Sequence, residues 1–178
     1  MSRPSTASLA TPTGIATFTV GGEVAQSFTL TVADLRDGWP QHQAEVTFDC
    51  ATSGPQHHRF EGPLLHDVMR TAEPGFDPRR RKDRSRFVLA ISGGDGHHTV
   101  LSWGEIDPDF AGSPVLLATR LDDTDLDAAG SQLVVPSDRC GARYISAITS
   151  IWAGACRPAH ARMPTRSVTT AGPEAVAN

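Results

Sequence analysis

The sequence predicts an α+β fold made mostly of short strands, and three observations predict it. Strand-like segments recur along the chain, separated by Gly- and Pro-bearing turns. Helical periodicity appears only in short pieces, the longest being Leu64–Ala72. With 178 residues and 39% apolar content, the chain can bury one ordinary core and suits one domain. That domain is expected over residues 14–156. Residues 1–13, rich in Ser, Thr and Pro, are expected to be mobile, and residues 157–178 to form a disordered tail.

Each element has a local reason. Ile15–Val20 is expected as a strand, followed by the turn Gly21-Gly22-Glu23, and Ser27–Leu30 as a second strand. Thr31 offers an N-cap hydroxyl with Asp34 three residues on, and Gly38 ends the short helix that follows. In Gln43–Cys50, Ala44, Val46, Phe48 and Cys50 share one face, and Gln43, Glu45, Thr47 and Asp49 share the other. Cys50 is thus the last inward residue of a half-buried strand, and Ala51-Thr52-Ser53-Gly54-Pro55 must turn. The polar stretch holding His57, His58 and Arg59 reads as an exposed loop.

Leu64, Leu65, Val68 and Met69 form the buried stripe of a helix over Leu64–Ala72, with Pro63 in its first turn, where a missing N–H costs nothing. The cations Arg79-Arg80-Arg81-Lys82, Arg84 and Arg86 read as a solvated loop, with an anion-docking surface as the alternative. Phe87–Ile91 and His98–Leu101 are strands joined at Gly93-Gly94-Asp95-Gly96. Ser102-Trp103-Gly104-Glu105 matches a capping box opening a short helix that Pro108 limits. Val115–Arg120, Gln132–Val135 and Tyr144–Trp152 supply the last strands.

The charge balance excludes some function classes. Twenty acids against 16 bases leave a net charge of −4, which implies no nucleic-acid partner. No apolar run approaches the roughly 20 residues that span a bilayer, so no membrane role is expected. The opening MSRPSTASLATPTG has one Arg and no apolar stretch, so a cytoplasmic protein is expected. The three cysteines, Cys50, Cys140 and Cys156, are odd in number and form no CxxC pair, which argues against a disulfide framework and a zinc ribbon.

The order of motifs resembles the oxidoreductase molybdopterin-binding domain of the sulfite oxidase superfamily. The resemblance runs through Val20-Gly21-Gly22-Glu23-Val24, Leu30-Thr31-Val32-Ala33-Asp34-Leu35 and Val46-Thr47-Phe48-Asp49-Cys50. It continues through Gly62-Pro63-Leu64-Leu65-His66-Asp67-Val68-Met69, Gly93-Gly94-Asp95-Gly96 and Leu133-Val134-Val135-Pro136, and ends on Gly141-Ala142-Arg143-Tyr144-Ile145-Ser146-Ala147-Ile148. It implies a mixed, mostly β fold with a few short helices and a molybdopterin cofactor whose molybdenum is held by the Cys50 thiolate, a soft ligand suited to such a centre. The activity it implies is two-electron, oxygen-atom transfer on a small-molecule substrate, with an electron-transfer partner. The cofactor would be held by Arg59, Ser137, Arg139, Gly141, Arg143 and Ser146. Gln132 and Ser146 stand where the family carries basic residues, and Arg139 and Arg143 are the nearby cations.

Other readings of the same residues stay open. Cys50 is equally a small buried hydrophobe by its alternation. Cys50 with His57 and His58 also suits Cys–His chemistry, in which an imidazole lowers the thiol pKa. That arrangement describes a cofactor-free enzyme of the same fold that converts an organic molecule by acid–base or nucleophilic steps. A non-catalytic binding subunit is the third reading. Arg139, Gly141 and Arg143 form either an anion clasp or a turn with solvated arginines.

Overall fold

The computed structural model describes residues 16–50 and 54–157, with backbone alone at 48–50 and 54–56. The expectations for residues 1–13 and for 158–178 lie outside the described residues. β1 (Thr17–Gly22) and β2 (Phe28–Thr31) are antiparallel neighbours, and β1 buries Phe18 and Val20. Thr31 caps α1 (Val32–Gly38) as expected: its hydroxyl accepts from the Asp34 amide at 3.0 Å, and the Asp34 carboxylate accepts the Thr31 N–H at 2.7 Å.

β3 (His42–Cys50) holds the predicted alternation through Thr47, with Val46 buried and Gln43, Glu45 and Thr47 exposed, and the expectation for the Phe48, Asp49 and Cys50 side chains lies outside the described residues. The stretch expected as a polar loop is instead β4 (Gly54–Gly62), paired antiparallel with β3 from His42↔Gly62 to Cys50↔Gly54. Its pattern was hidden by polarity. Phe60 buries on the inner face, whereas His57, Arg59 and Glu61 alternate to the other. A strand with one wet face needs few apolar residues, and the hydrogen-bond ladder supplies the rest.

α2 (Leu65–Thr71) buries Leu65, Val68 and Met69. Leu64 is its N-cap, so Pro63 precedes the first turn rather than lying in it. The basic run is not a loop throughout: α3 (Arg81–Arg84) forms there, and Arg84 is buried. β5 (Phe87–Gly93) and β6 (His98–Ser102) make the expected hairpin, and the Ser102–Glu105 capping box opens α4 (Trp103–Ile106). Next come β7 (Leu116–Ala118), the tight hairpin of β8 (Arg120–Leu121) and β9 (Thr124–Asp125), and β10 (Gln132–Val134).

The final strand, β11 (Ile148–Ala155), starts four residues later than Tyr144, where the sequence places it. A 3₁₀ turn at Gly141–Arg143 and a left-handed Ala147 (φ 49°) occupy the approach. Tyr144 is buried there with its hydroxyl on the Val135 carbonyl at 3.2 Å. An aromatic whose tip must reach a partner anchors a turn as readily as it fills a strand.

The strands form a five-stranded sheet in the order β2-β1-β11-β5-β6, a four-stranded sheet β3-β4-β8-β9, and the pair β10-β7. β1 and β11, from opposite ends of the described chain, lie parallel at the centre of the larger sheet. One core joins the buried faces of these sheets to α1, α2 and α4, with Trp103 fully enclosed in it.

Candidate functional site

The site is built on the β3–β4 hairpin. Cys50 ends β3 in register with Gly54, at the end of the ladder where the chain passes from β3 to β4. The expectation that its side chain faces inward lies outside the described residues. Toward the other end of the hairpin, Val46 faces His58 and Thr47 faces His57. A cleft of about 460 Å³ opens here, lined by Glu45, Val46, Thr47, His57, His58, Arg59 and Asp122. At ~3.3 Å of rise per residue, its nearest wall at Thr47 is about 10 Å along the strand from Cys50.

The cleft exists because β8 leaves β4 early. The two strands pair only at Phe60↔Leu121 and Glu61↔Arg120. Asp122 then turns the chain with φ 53°, and its carboxylate takes over the edge of β4. It accepts the Arg59 N–H at 2.9 Å and meets His58 Nδ1 at 3.0 Å. The Arg59 amide, and after it the His58 imidazole, hold the Asp122 carboxyl below its ordinary value. His58 is thereby oriented by a carboxylate. Across the hairpin's wet face, Thr47 Oγ1 and His57 Nδ1 lie 2.8 Å apart. The Arg59 guanidinium donates to Asp123 at 2.8 Å, but that carboxylate is almost fully exposed and holds it loosely.

The second group predicted from sequence arrives beside this hairpin. The 3₁₀ turn of Gly141–Arg143 packs along β3. Tyr144 meets the edge of Phe60 at a centroid distance of 6.2 Å, and Phe60 in turn lies 6.1 Å from His58. Burial first, and then Asp138, push the Tyr144 hydroxyl up to about 12. Ser137 and Arg139 are exposed on the approach to the turn, and Arg139 has no salt bridge among the described residues. Ser146 is exposed further on, with its carbonyl close against Gly93.

Arg143 is differently placed. Its guanidinium forms a fork on Asp138 at 2.8 and 2.5 Å, and its third arm donates to Glu105 at 2.8 Å. Both bonds raise its already high pKa. Burial pushes Glu105 up, yet Arg143 and the Ser102 amide outweigh it and leave the carboxyl below its ordinary value. Arg143 therefore ties the turn to the cap of α4.

Asp122, Thr47, Glu105 and Asp138 were missed from sequence. Alternation places Thr47 on the wet face of β3, but nothing local says that Asp122 returns to β4 from 63 residues away. The described residues hold no group of three His, Cys, Asp or Glu side chains fit for a metal ion. A centre held by one thiolate would present no such group.

The domain, mostly strands with a few short helices, has the α+β build of a sulfite oxidase-type fold. The family model described as "Oxidoreductase molybdopterin binding domain" matches residues 10–155, and the chain belongs to that family. Among solved structures it is similar to the sulfane dehydrogenase SoxCD from Paracoccus pantotrophus, with a TM-score of 0.60 and 16% identity. The match covers 77% of this chain and 37% of that one, so the chain spans little more than a third of its neighbour's length. At that identity the likeness shows the fold. No curated protein matches the sequence. No helix among the described residues is long and apolar enough to cross a membrane.

Proposed function

We propose that this domain holds a molybdopterin cofactor beside the β3–β4 hairpin, with the Cys50 thiolate on the metal, and acts as an oxidoreductase on a small molecule. The observation that carries this is the hairpin register. It sets Cys50 at the end of β3 where the chain passes to β4 and, farther along the same two strands, builds a cleft lined by His57, His58 and Arg59. When bound, the cofactor would supply two-electron chemistry with oxygen-atom transfer, and the protein would supply position and access.

The donor set fits an anionic cofactor tail in a particular way. Arg139 has no salt bridge among the described residues, and the Arg59 guanidinium is held by an exposed carboxylate. These two are the cations available for charge-assisted bonds. Arg143 is spent on Asp138 and Glu105, so its role is to position the Gly141 turn; Ser137, Gly141 and Ser146 would offer hydroxyl and backbone donors. His58, steadied by Asp122, suits orientation of a substrate oxyanion or transfer of a proton at its ring nitrogen. His57, exposed and bonded through Nδ1 to Thr47, suits the mouth of the cleft. An electron-transfer partner and a cytoplasmic setting belong to the same proposal.

The full chain made in cells that synthesise molybdenum cofactor is expected to carry the metal near stoichiometry, and Cys50→Ser to lose it while keeping its circular dichroism spectrum. Metal analysis and pterin fluorescence check both. Molybdenum no higher than in Cys50→Ser overturns the proposal. The engagement of Arg143 by two carboxylates favours a second reading, a cofactor-free enzyme using Cys50, His57 and His58. That reading expects no metal, but a bound organic ligand lost on His58→Ala.

A further inference from the structure

The basic run of the sequence takes no part in the site above, yet the structure holds it in a defined place. From Arg70 to Arg86 there are seven basic and three acidic side chains, a net of +4 within a chain of net −4. Arg84 alone of the run is buried, with its guanidinium on Asp107 at 2.7 Å and Asp109 at 2.6 Å. That anchor leaves Arg79, Arg80, Arg81 and Lys82 exposed, and none of the four has a salt bridge among the described residues. The neighbouring acids are engaged elsewhere. Asp77 accepts the Arg79 amide at 2.9 Å, and Asp83 binds Arg86 and the Asp77 amide. Asp83 and Asp109 are the carboxylates that act on Arg80 and Arg81 at longer range.

Beside these cations lies a second cleft, of about 400 Å³, lined by Ala25, Arg70, Glu73, Pro74, Gly75, Phe76 and Pro78. Pro78 is both its wall and the residue before Arg79. Its backbone is pinned on both sides: Ala25 N–H donates to the Glu73 carbonyl at 2.9 Å, Gln26 N–H to Ala72 at 3.0 Å, and Gly75 N–H to Glu23 at 2.8 Å. Arg70, on the cleft wall, also has no salt bridge among the described residues. Glu73 is the one acid in the lining, and Glu23 nearby is taken by Arg157 at 3.3 Å.

We propose that this cleft and its basic rim dock an acidic segment of a partner protein, with one large apolar side chain of that segment seated over Phe76. Charge complementarity selects an anionic partner for a patch so unlike the rest of the chain. The pinned apolar cleft selects a peptide, because a preformed pocket for a side chain lowers the ordering cost of binding. Phe76 is held in the cleft lining by edge-on packing against Phe87 and Trp103, so the surface it gives the cleft is fixed. The helices among the described residues are at most seven residues long, shorter than the amphipathic helix that lies in a membrane interface.

The test uses the full chain and a labelled peptide of alternating Asp and Glu with one central Phe, followed by fluorescence anisotropy. Binding is expected to weaken by about tenfold or more on Arg79→Glu combined with Lys82→Glu, and steeply with added salt. Ala25→Glu, an exposed change at the cleft wall, is expected to weaken it about fivefold or more. Replacing the central Phe of the peptide by Ser should do the same. Absence of binding, indifference to the central Phe, or tighter binding of single-stranded DNA or of anionic lipid vesicles each overturns the proposal. Molybdenum content plays no part in these readouts, so the result is separate from that of the cofactor.

Discussion

Arg84 sits among surface cations and yet is withdrawn from water because three groups converge on it. Asp107, itself buried, accepts from Arg84 at 2.7 Å and from the Trp103 indole N–H at 2.7 Å, and also takes the Asp109 amide at 2.9 Å. The guanidinium also lies 5.3 Å from the centre of the Phe110 ring. Removal of Asp107 strands a buried cation and a buried indole N–H together. Asp107→Ala is therefore expected to cost roughly 3–5 kcal/mol, measured by urea unfolding. Asp109 holds the other arm at the surface, and Asp109→Ala is expected to change stability little, since water screens such a pair. Equal losses in the two variants would show that burial of the pair does not set its value. The sequence shows Arg84 only as one of several basic residues; its partners come from 23 and 25 positions away.

At the scale of elements, Gly62 explains why the hairpin and the β7 strand come together. A Cβ at Gly62 would lie 2.2 Å from the Leu117 carbonyl oxygen and 2.8 Å from Ala118 Cα. Both are backbone atoms that cannot swing away, and Leu117 is further tied by its N–H to the Pro63 carbonyl at 3.0 Å. The glycine is required for close approach, with no need of an unusual φ. Gly62→Ala is expected to destabilise by about 1–3 kcal/mol through forced backbone movement, read as a lower midpoint in thermal melting. An unchanged midpoint would mean that β4 and β7 can separate at no cost. The hairpin itself was only half legible. β3 announced itself by alternation, whereas β4 carries His57, His58 and Arg59, and polar residues on a wet strand face resemble a loop until the ladder is seen.

Across the whole molecule, five hydrogen-bonded carboxyls share one direction of shift. Asp34, Asp83, Asp109, Asp122 and Glu105 all lie below their ordinary values in the folded state. Their causes differ: the Thr31 hydroxyl for Asp34, the Asp77 amide for Asp83, Arg84 for Asp109, the Arg59 amide for Asp122, and Arg143 against burial for Glu105. A depressed folded pKa means that the unfolded chain takes up protons first as pH falls. The stabilisation is complete above the ordinary carboxyl values, 3.8 for Asp and 4.5 for Glu, and is lost as pH falls through them toward the folded values. The melting temperature is therefore expected to fall steeply below about pH 4.5, with a shallower fall at high salt because most of these groups are exposed. Calorimetry across the acid range checks it; a melting temperature that rises on acidification would contradict the sign.

The chain by itself determined the class of fold, the caps of α1 and α4, the alternation of β3 and the order of motifs that includes Val46–Cys50. These are local or nearly local: a hydroxyl and a carboxylate three residues apart meet whatever surrounds them, and alternation needs only the pleat. Tertiary structure decided what lies far apart in the chain. It brought Asp122 to His58, set Arg143 between Asp138 and Glu105, and buried Arg84 beside Asp107. The physical reason is the same for all three. A charge takes the partner that chain closure brings within reach, and composition records the charge without recording that distance.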